Sequence, residues 1–540
     1  MPVQPLADTV RRAIQRSDTL QLGAIPVLYP LLETLGLRDL VNTLCPTQAD
    51  LDLGRVLLVL VLNRLMSPQP LSAIQEWVTH SVVPLMLDLS AAQLYDQRLG
   101  RALDALYPHL GELWARLVVR AVQVWHLDLS ILHWDITSFY FEGAYTDSEL
   151  IRYGHSRDHQ SDAKQINLLA DVTHQSRIPV GYQTLPGNTA DITTPLRHVD
   201  ALLHFLARPE LAPLNVHPIL VSDCKMITPE AVGACHRHHW FYLGPWARTT
   251  QVLTVLRHVS EDELAAHVLS YRPRRQVNDP HFVPYRGVWR PFAIQVPPPP
   301  ETPDAAPHTV TDRVLVVWSA GKARLDLQKR QTTLKRLLDG LEHIRRQLNH
   351  GRYAERDYVV ERLASVRRGN PAKPLVQVNL QGTDRALSLQ FHIDRERLAA
   401  EQAVEGRYAL GTNAAHLAAD EALTIFKAQD DAEKQFRTWK GPVAVRPVFL
   451  HTDQRIEGLV FITLVALLVR ALLALRGREA GLKVTADQVL TEFASWSVVD
   501  LTLRDGVHLR QITAPTEFQT KVLTALGGPP DERYLTNLAA

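Results

Sequence analysis

Three acidic side chains stand where a carboxylate could do chemistry. Asp135 falls in the middle of ILHWDITSFYFEG, flanked by apolar and aromatic residues. A charge in such a setting needs a partner, because burying an unpaired carboxylate is very costly. Asp223 closes the short apolar run HPILVSDC, at the C-terminal end of a strand, where ligands collect in α/β sheets. Glu433 lies in KAQDDAEKQFRTWK, with Gln429 and Arg437 four residues to either side and Phe436 supplying a packing side. If the strands of Asp135 and Asp223 pair, about 4.8 Å apart, the two carboxylates can share a cation. One carboxylate from each of two strands and one from a helix is enough for two Mg2+ ions roughly 3.5–4 Å apart. Such a pair activates a water or hydroxyl and stabilises the leaving oxygen of a phosphodiester. Mg2+ prefers a few carboxylates completed by water and substrate phosphate, which fits this set. An acid in a strand is more often a cap or an ion-pair partner, however, and Asp430 and Asp431 compete with Glu433 on pattern alone.

The elements that would position these acids follow from the periodicity of the chain. ILHWDITSFYFEG alternates and is rich in β-branched and aromatic residues, as a strand should be. INLLADVT and IPVGYQTL follow as two more strands around the turn HQSR. Next come the helical TTPLRHVDALLHFLA, the strand HPILVSDC, the helical TPEAVGACHRH and the strand-like WFYLG. Three consecutive strands followed by alternation describe a mixed α/β sheet. Residues 1–125 read as all-helical, from apolar residues at three- and four-residue spacing in VLLVLVLNRLM, LSAIQEWV and LGRALDALYPHLGELWARLVV. They carry 10 Lys and Arg against 11 Asp and Glu, so they show no charge footprint for DNA and suit packing or protein contacts.

The proline-rich VPPPPETPDAAP (296–307) reads as a linker or exposed loop. Residues 321–368 read as a long helix and a shorter one, broken near Asn349–Gly351, followed by strand-like LVQVNL and ALSLQFHI. Between 321 and 374 there are 14 Lys and Arg against 6 Asp and Glu, a local +8 that would suit a DNA backbone or a solvated face. The expected organisation is a helical domain 1–125, an α/β region 126–250, an interrupting stretch 251–404, a further region 405–500 and a C-terminal segment 501–540.

The 540 residues have ordinary globular composition, and Lys+Arg 58 against Asp+Glu 57 leaves +1, so only local charge is informative. Three cysteines cannot form a disulfide framework and suit a reducing compartment. The polar N-terminus does not read as a signal peptide. Leu459–Val469, the longest late apolar run, is short of the roughly 20 residues a membrane span needs. A soluble cytoplasmic protein is expected. Cys224, Cys235, His236, His238 and His239 fit no common four-ligand zinc spacing. Neither a phosphate-binding GxxxxGK[ST] loop nor a GxGxxG opening a helix occurs.

With these residues in view, the chain resembles the DDE transposases of bacterial insertion sequences, in the branch marked by Tyr-x2-Arg-x3-Glu-x6-Lys. Here the signature reads Phe426, Gln429, Glu433, Lys440. HWDITSFYFEGAY, YGHSRDHQSDAKQ, PGNTAD, VSDCKM, EGRYALGTN, FRTWKGPVAVRPVF and DQRIEG match, in order, the subgroup with an extra helical N-terminal domain. The resemblance implies an RNase H-like catalytic domain with Asp135, Asp223 and Glu433 as ligands of two Mg2+ ions (Mn2+ substituting), its two parts 126–250 and 405–500 interrupted by an insertion domain 251–404. It implies double-stranded DNA as partner, at the transposon's inverted repeats and at the target, with a homodimer in the synaptic complex and no membrane. Phe426, Gln429, Arg437 and Lys440 would handle the DNA end, with Arg157 and Lys164 in reach of DNA near the active site. Phe426 lacks a tyrosine's hydroxyl but can still stack on a base. Gln429 lacks the charge and bidentate geometry of arginine. Lys225 and Leu459 stand where the subgroup usually has Gly and His. A transposase-derived DNA-binding protein without activity and an RNase H-like nuclease are the alternatives.

Overall fold

The structure is a computed structural model that describes residues 14–141, 145–154, 164–189, 194–223, 227–430, 450, 452–504, 508–528 and 534. In chain order, β1 (Ile14–Gln21) leads into seven helices: α1 (Ile25–Thr34), α2 (Leu37–Leu44), α3 (Leu53–Met66), α4 (Ile74–Thr79), α5 (Val83–Leu87), α6 (Asp96–Leu106) and α7 (Leu110–Trp125). Then come β2 (Ile131–Phe141), β3 (Arg152–Tyr153), β4 (Lys164–Thr173), β5 (Pro179–Pro186), α8 (Thr194–Leu206), β6 (Ile219–Val221), α9 (Pro229–Arg237) and β7 (Phe241–Pro245). The middle of the chain forms α10 (Thr250–His258), α11 (Glu261–Ala266), β8 (Arg286–Val296), β9 (His308–Trp318), α12 (Ala320–Gln347) and α13 (Arg356–Arg367). It continues through β10 (Val376–Gln381), β11 (Ser388–Ile393), α14 (Arg395–Gln402), β12 (Arg407–Thr412) and α15 (Ala419–Lys427). The last elements are α16 (Asp453–Glu479), α17 (Ala486–Phe493), β13 (Ser497–Leu503), β14 (His508–Ile512) and α18 (Glu517–Leu526). This is a mixed α/β protein: between 131 and 245 the order is the three strands, helix, strand, helix and strand of the residue pattern, with the two-residue β3 added between the first two strands.

The chain divides into two compact units, residues 1–221 with 428–540, and residues 222–427. In the first, β2 lies between β4, antiparallel to it, and β6, parallel to it, while β5 and the short β3 both pair with β4. From Leu132 to Phe141 every residue of β2 except Asp135 is buried. The strand is therefore covered on both faces, which is why its sequence is apolar almost throughout instead of cleanly alternating.

The N-terminal region differs from the all-helical expectation. Residues Ile14–Gln21 form a strand that pairs antiparallel with β13, which in turn pairs with β14. That pairing joins segments at opposite ends of the chain, so no local pattern announces it. The helices α1, α3, α6 and α7 pack around α16. Both α3 and α16 are apolar on all sides, as a helix must be when neighbours enclose it. At 27 residues α16 is longer than its apolar run suggests and could cross a membrane by length and composition, yet 89% of its most apolar stretch is buried inside the unit. It is a core helix.

The DQRIEG motif starts this helix. Thr452 caps it by accepting from the Arg455 amide. The Asp453 carboxylate accepts from the Ser148 hydroxyl and the Glu149 and Leu150 amides, and the Arg455 guanidinium grips Asp104 of α6 through two nitrogens, at 2.9 and 2.7 Å. Leu459, at the subgroup's histidine position, is buried core.

In the second unit the strand order is β7-β12-β9-β8, antiparallel throughout. The pairing of β8 with β9 runs without interruption to Val296 and His308, so the proline-rich stretch is the exposed tip of a long hairpin. The α12 and α13 helices pack with the β10–β11 hairpin around their own apolar cluster, Leu337, Leu341, Ile344, Val359, Leu363, Val376 and Leu389 among them. The break at Asn349–Gly351 is real: Asn349 and Gly351 both have positive φ, and the Asn349 amide closes the turn onto Leu387.

Candidate active site

The geometry around Asp135 starts from strand register. His133 and Asp135 are two residues apart on β2 and so project from one face, while Trp134 and Ile136 project from the other. In the parallel pairing of β2 with β6, His133 lies opposite Val221, the last residue of β6. Asp135 is two residues beyond the first of these and Asp223 two beyond the second. Asp135 is half-buried in an otherwise buried strand, and its Oδ1 accepts the Ile136 amide at 2.7 Å. Asp223 is half-buried too, in the segment that leaves β6.

On the Asp135 face a buried polar chain ties residues 428–429 to β2. The His133 Nδ1–H donates to Gln429 Oε1 at 2.7 Å, and Gln429 Nε2 donates to the Trp134 carbonyl at 3.1 Å. With its Nδ1 hydrogen used in this way, a neutral His133 accepts at Nε2 from His174 Nδ1, 2.8 Å away, and the two rings stack at 5.1 Å. Arg177 completes the tie by donating to the Ala428 carbonyl at 2.9 Å. Burial pushes the His133 imidazole down to about 3, against the pull of its Gln429 partner and with Arg177 and His174 adding to the depression. His174 is lowered as well, by burial and by Arg177, with Asp128 opposing.

Gln429 is thus a correction to the sequence reading. It is 4% exposed and both ends of its amide are engaged inside the protein, so it is a strut to β2 and not a surface group for DNA. Phe426 is half-buried against Tyr408, ring centroids 6.4 Å apart, with the Lys427 ammonium near both rings. Lys164 is the first residue of β4; its ammonium reaches the Tyr145 carbonyl at 3.4 Å and sits 5.4 Å from the Tyr153 ring centre. Glu433, Arg437, Lys440 and Arg157, with Asp431, Cys224 and Lys225, lie outside the described residues. Among the described residues no group of three His, Cys, Asp or Glu side chains is poised for a metal.

Two pairs of a buried acid with an imidazole, the second imidazole only half-buried, are not visible in the sequence. On the opposite face of β2, Asp171 of β4 takes a 2.8 Å bond from His198 of α8, whose ring stacks on Trp134 at 4.1 Å. Gly181 makes room for it, since a Cβ there would come within 2.4 Å of the carboxylate. In the second unit, Asp312 of β9 accepts from His236 Nε2 at 2.9 Å and from the Tyr242 hydroxyl at 2.8 Å. The nearby Cys235 thiol is pushed up to about 12, chiefly by burial and then by Asp312, which makes it inert at neutral pH. An acid and a histidine brought together only by sheet register leave no spacing for a reader of the sequence to find.

A family model described as a domain of unknown function (DUF4277) matches residues 17–118, the span of the N-terminal helices. The chain is similar to piggyBac transposase in a cryo-EM structure of its synaptic complex with hairpin DNA. The TM-score is 0.40 at 8% identity, over 89% of this chain and 82% of that one. No curated protein matches the chain.

Proposed function

We propose that the chain is a DDE-type DNA transposase of an insertion sequence, with an RNase H-like catalytic core. In this reading it binds the element's terminal inverted repeats as a dimer, hydrolyses the phosphodiester at each end and joins the freed 3′-hydroxyl to target DNA, a cut-and-paste reaction in the bacterial cytoplasm. The ordered set of motifs supports it, and the observation that carries it furthest is the parallel pairing of β2 with β6. Asp135 and Asp223 each follow by two residues a member of the same pair, His133 and Val221, on strands about 4.8 Å apart. The strand order β5-β4-β2-β6, antiparallel twice and then parallel, supports the RNase H-like reading.

Carboxylate oxygens on a half-buried strand position suit a hard cation such as Mg2+, with Mn2+ in its place. Asp135, Asp223 and Glu433 would hold two ions. When bound, these stabilise charge on the phosphate oxygens undergoing substitution. The chain's own residues do the rest. Gln429, four residues before Glu433 in the sequence, is itself tied to the strand of Asp135 through His133 and the Trp134 carbonyl. Phe426 offers a ring to a base at the transposon end, while Arg437, Lys440, Arg157 and Lys164 take phosphates.

The test is cleavage of a labelled duplex carrying the inverted repeats that flank the gene, with Mg2+ or Mn2+, by wild type, Asp135→Ala and Glu433→Ala. Metal-dependent nicking at the element boundary, lost in both variants, is the expected result. Binding without cleavage by the wild type would replace this reading with an inactive DNA-binding descendant, and cleavage without joining with a nuclease.

A further inference from the structure

We propose that the outer face of α12 is a docking surface for the phosphate backbone of duplex DNA; this rests on the transposase reading and names a surface for its substrate built from residues other than the three acids. The inner face of α12 is fixed by Leu337, Leu341, Ile344 and Leu348, which enter the cluster shared with α13 and the β10–β11 hairpin. The side turned away from that cluster carries two rows of basic residues. Arg324, Lys335 and Arg346 recur every 11 residues, three turns of helix, and so fall in one line. Lys329, Arg336 and His343 recur every seven, two turns, in a second line. All six are exposed. From Arg324 to Arg346 the rows run about 33 Å at 1.5 Å per residue, a length of duplex that presents roughly 20 phosphates.

Of the row residues, Arg346 shares Glu342 with Arg345, and the other basic residues of this helix are already used: Lys322 pairs with Asp326 and Arg330 with Glu405. Arg324, Lys329, Lys335 and Arg336 enter no ion pair among the described residues. Between the rows stand Gln328, Thr332 and Asp339, all exposed, with Leu325 at the first turn. One acid and one leucine in a band of polar and basic groups do not make the centre of a protein interface, which is depleted in charge. They do suit a polyanion, whose bound counterions each basic contact releases. The 28-residue helix is also capped at Ser319, whose side chain accepts from the Lys322 amide, so the rows sit on a regular element.

The experiment measures affinity of the full chain for a labelled duplex of about 30 base pairs between 50 and 200 mM salt. It compares wild type with a variant carrying Arg324→Gln, Lys329→Gln, Lys335→Gln and Arg336→Gln. A second variant, Arg476→Gln, Arg478→Gln, Lys483→Gln and Lys521→Gln, removes the same charge from other exposed sites. Each lost phosphate contact flattens the dependence of log K on log salt by about 0.9, so the α12 variant should lose up to roughly 3.6 from the slope. Over that salt range its loss of affinity would be roughly 100-fold smaller than that of wild type. The second variant should keep the wild-type slope, and both should keep the wild-type circular dichroism. An unchanged slope in the α12 variant, with end cleavage intact, overturns the docking surface and leaves the transposase reading standing. Equal flattening in both variants overturns it as well, since net charge would then be the cause. A wild type that binds no duplex at 50 mM overturns both.

Discussion

Replacing Gln429 by arginine, the residue of the transposase signature, separates a buried strut from a DNA contact. Gln429 is 4% exposed, accepts from the His133 ring and donates to the Trp134 carbonyl. Arginine has no acceptor, so the His133 Nδ1–H would be orphaned, at about 1–3 kcal/mol for a buried donor. The new guanidinium would also be buried close to Arg177, which already holds the Ala428 carbonyl, and an uncompensated buried charge costs about 3–5 kcal/mol. A loss of roughly 4–8 kcal/mol is a large part of the 5–15 kcal/mol that holds a typical protein together. Gln429→Leu, which orphans the histidine without adding charge, should lose only about 1–3 kcal/mol. Urea unfolding followed by circular dichroism orders the three proteins as wild type, leucine, arginine. An arginine variant within about 0.5 kcal/mol of wild type that also binds duplex more tightly would show the side chain reaching outward, and would refute the strut.

Further outcomes follow from other parts of the molecule. Asp52 caps α3, and although burial alone would raise its carboxyl, the Arg55 amide and guanidinium, Asn42 and Arg38 outweigh that and hold it at about 2. Its lowered value means the stabilisation is present above the unfolded value near 4 and is lost as pH falls from about 4 to 2. Asp52→Ala should therefore cost about 2 kcal/mol at pH 7, with the gap to wild type closing toward pH 2; a gap that does not change with pH would contradict the assignment. Phe461→Ala removes a fully buried ring of α16 that meets Trp114 edge-on at 6.3 Å, and should cost about 3–5 kcal/mol by thermal or urea unfolding. A cost below 1 kcal/mol would mean that α16 is not core. On the proposed transposase function, Asp223→Asn should keep duplex binding and lower metal-dependent cleavage by at least about 100-fold, since several kcal/mol of charge stabilisation would go with the metals. Cleavage at the wild-type rate would remove Asp223 from the site.

Much of the architecture was legible from local pattern, because burial on one or both faces leaves a periodic trace in the residues themselves. The strands β2, β4, β5, β6 and β7, the long basic helix and its break, and the proline-rich loop all declare themselves in this way. So did Asp135, as the lone acid in an apolar strand. What only the tertiary structure decided are relations between residues far apart in sequence. The pairing of β1 with β13 and the enclosure of α16 by the N-terminal helices depend on which apolar surfaces meet, and any helix of the same pattern could have met another. Gln429 looked like a weakened DNA contact because its helix position gave no sign that His133, nearly 300 residues earlier, would stand opposite it. The Asp171–His198 and Asp312–His236 pairs were hidden for the same reason: a buried polar group must find its partner in space, and sequence spacing records only partners that are local.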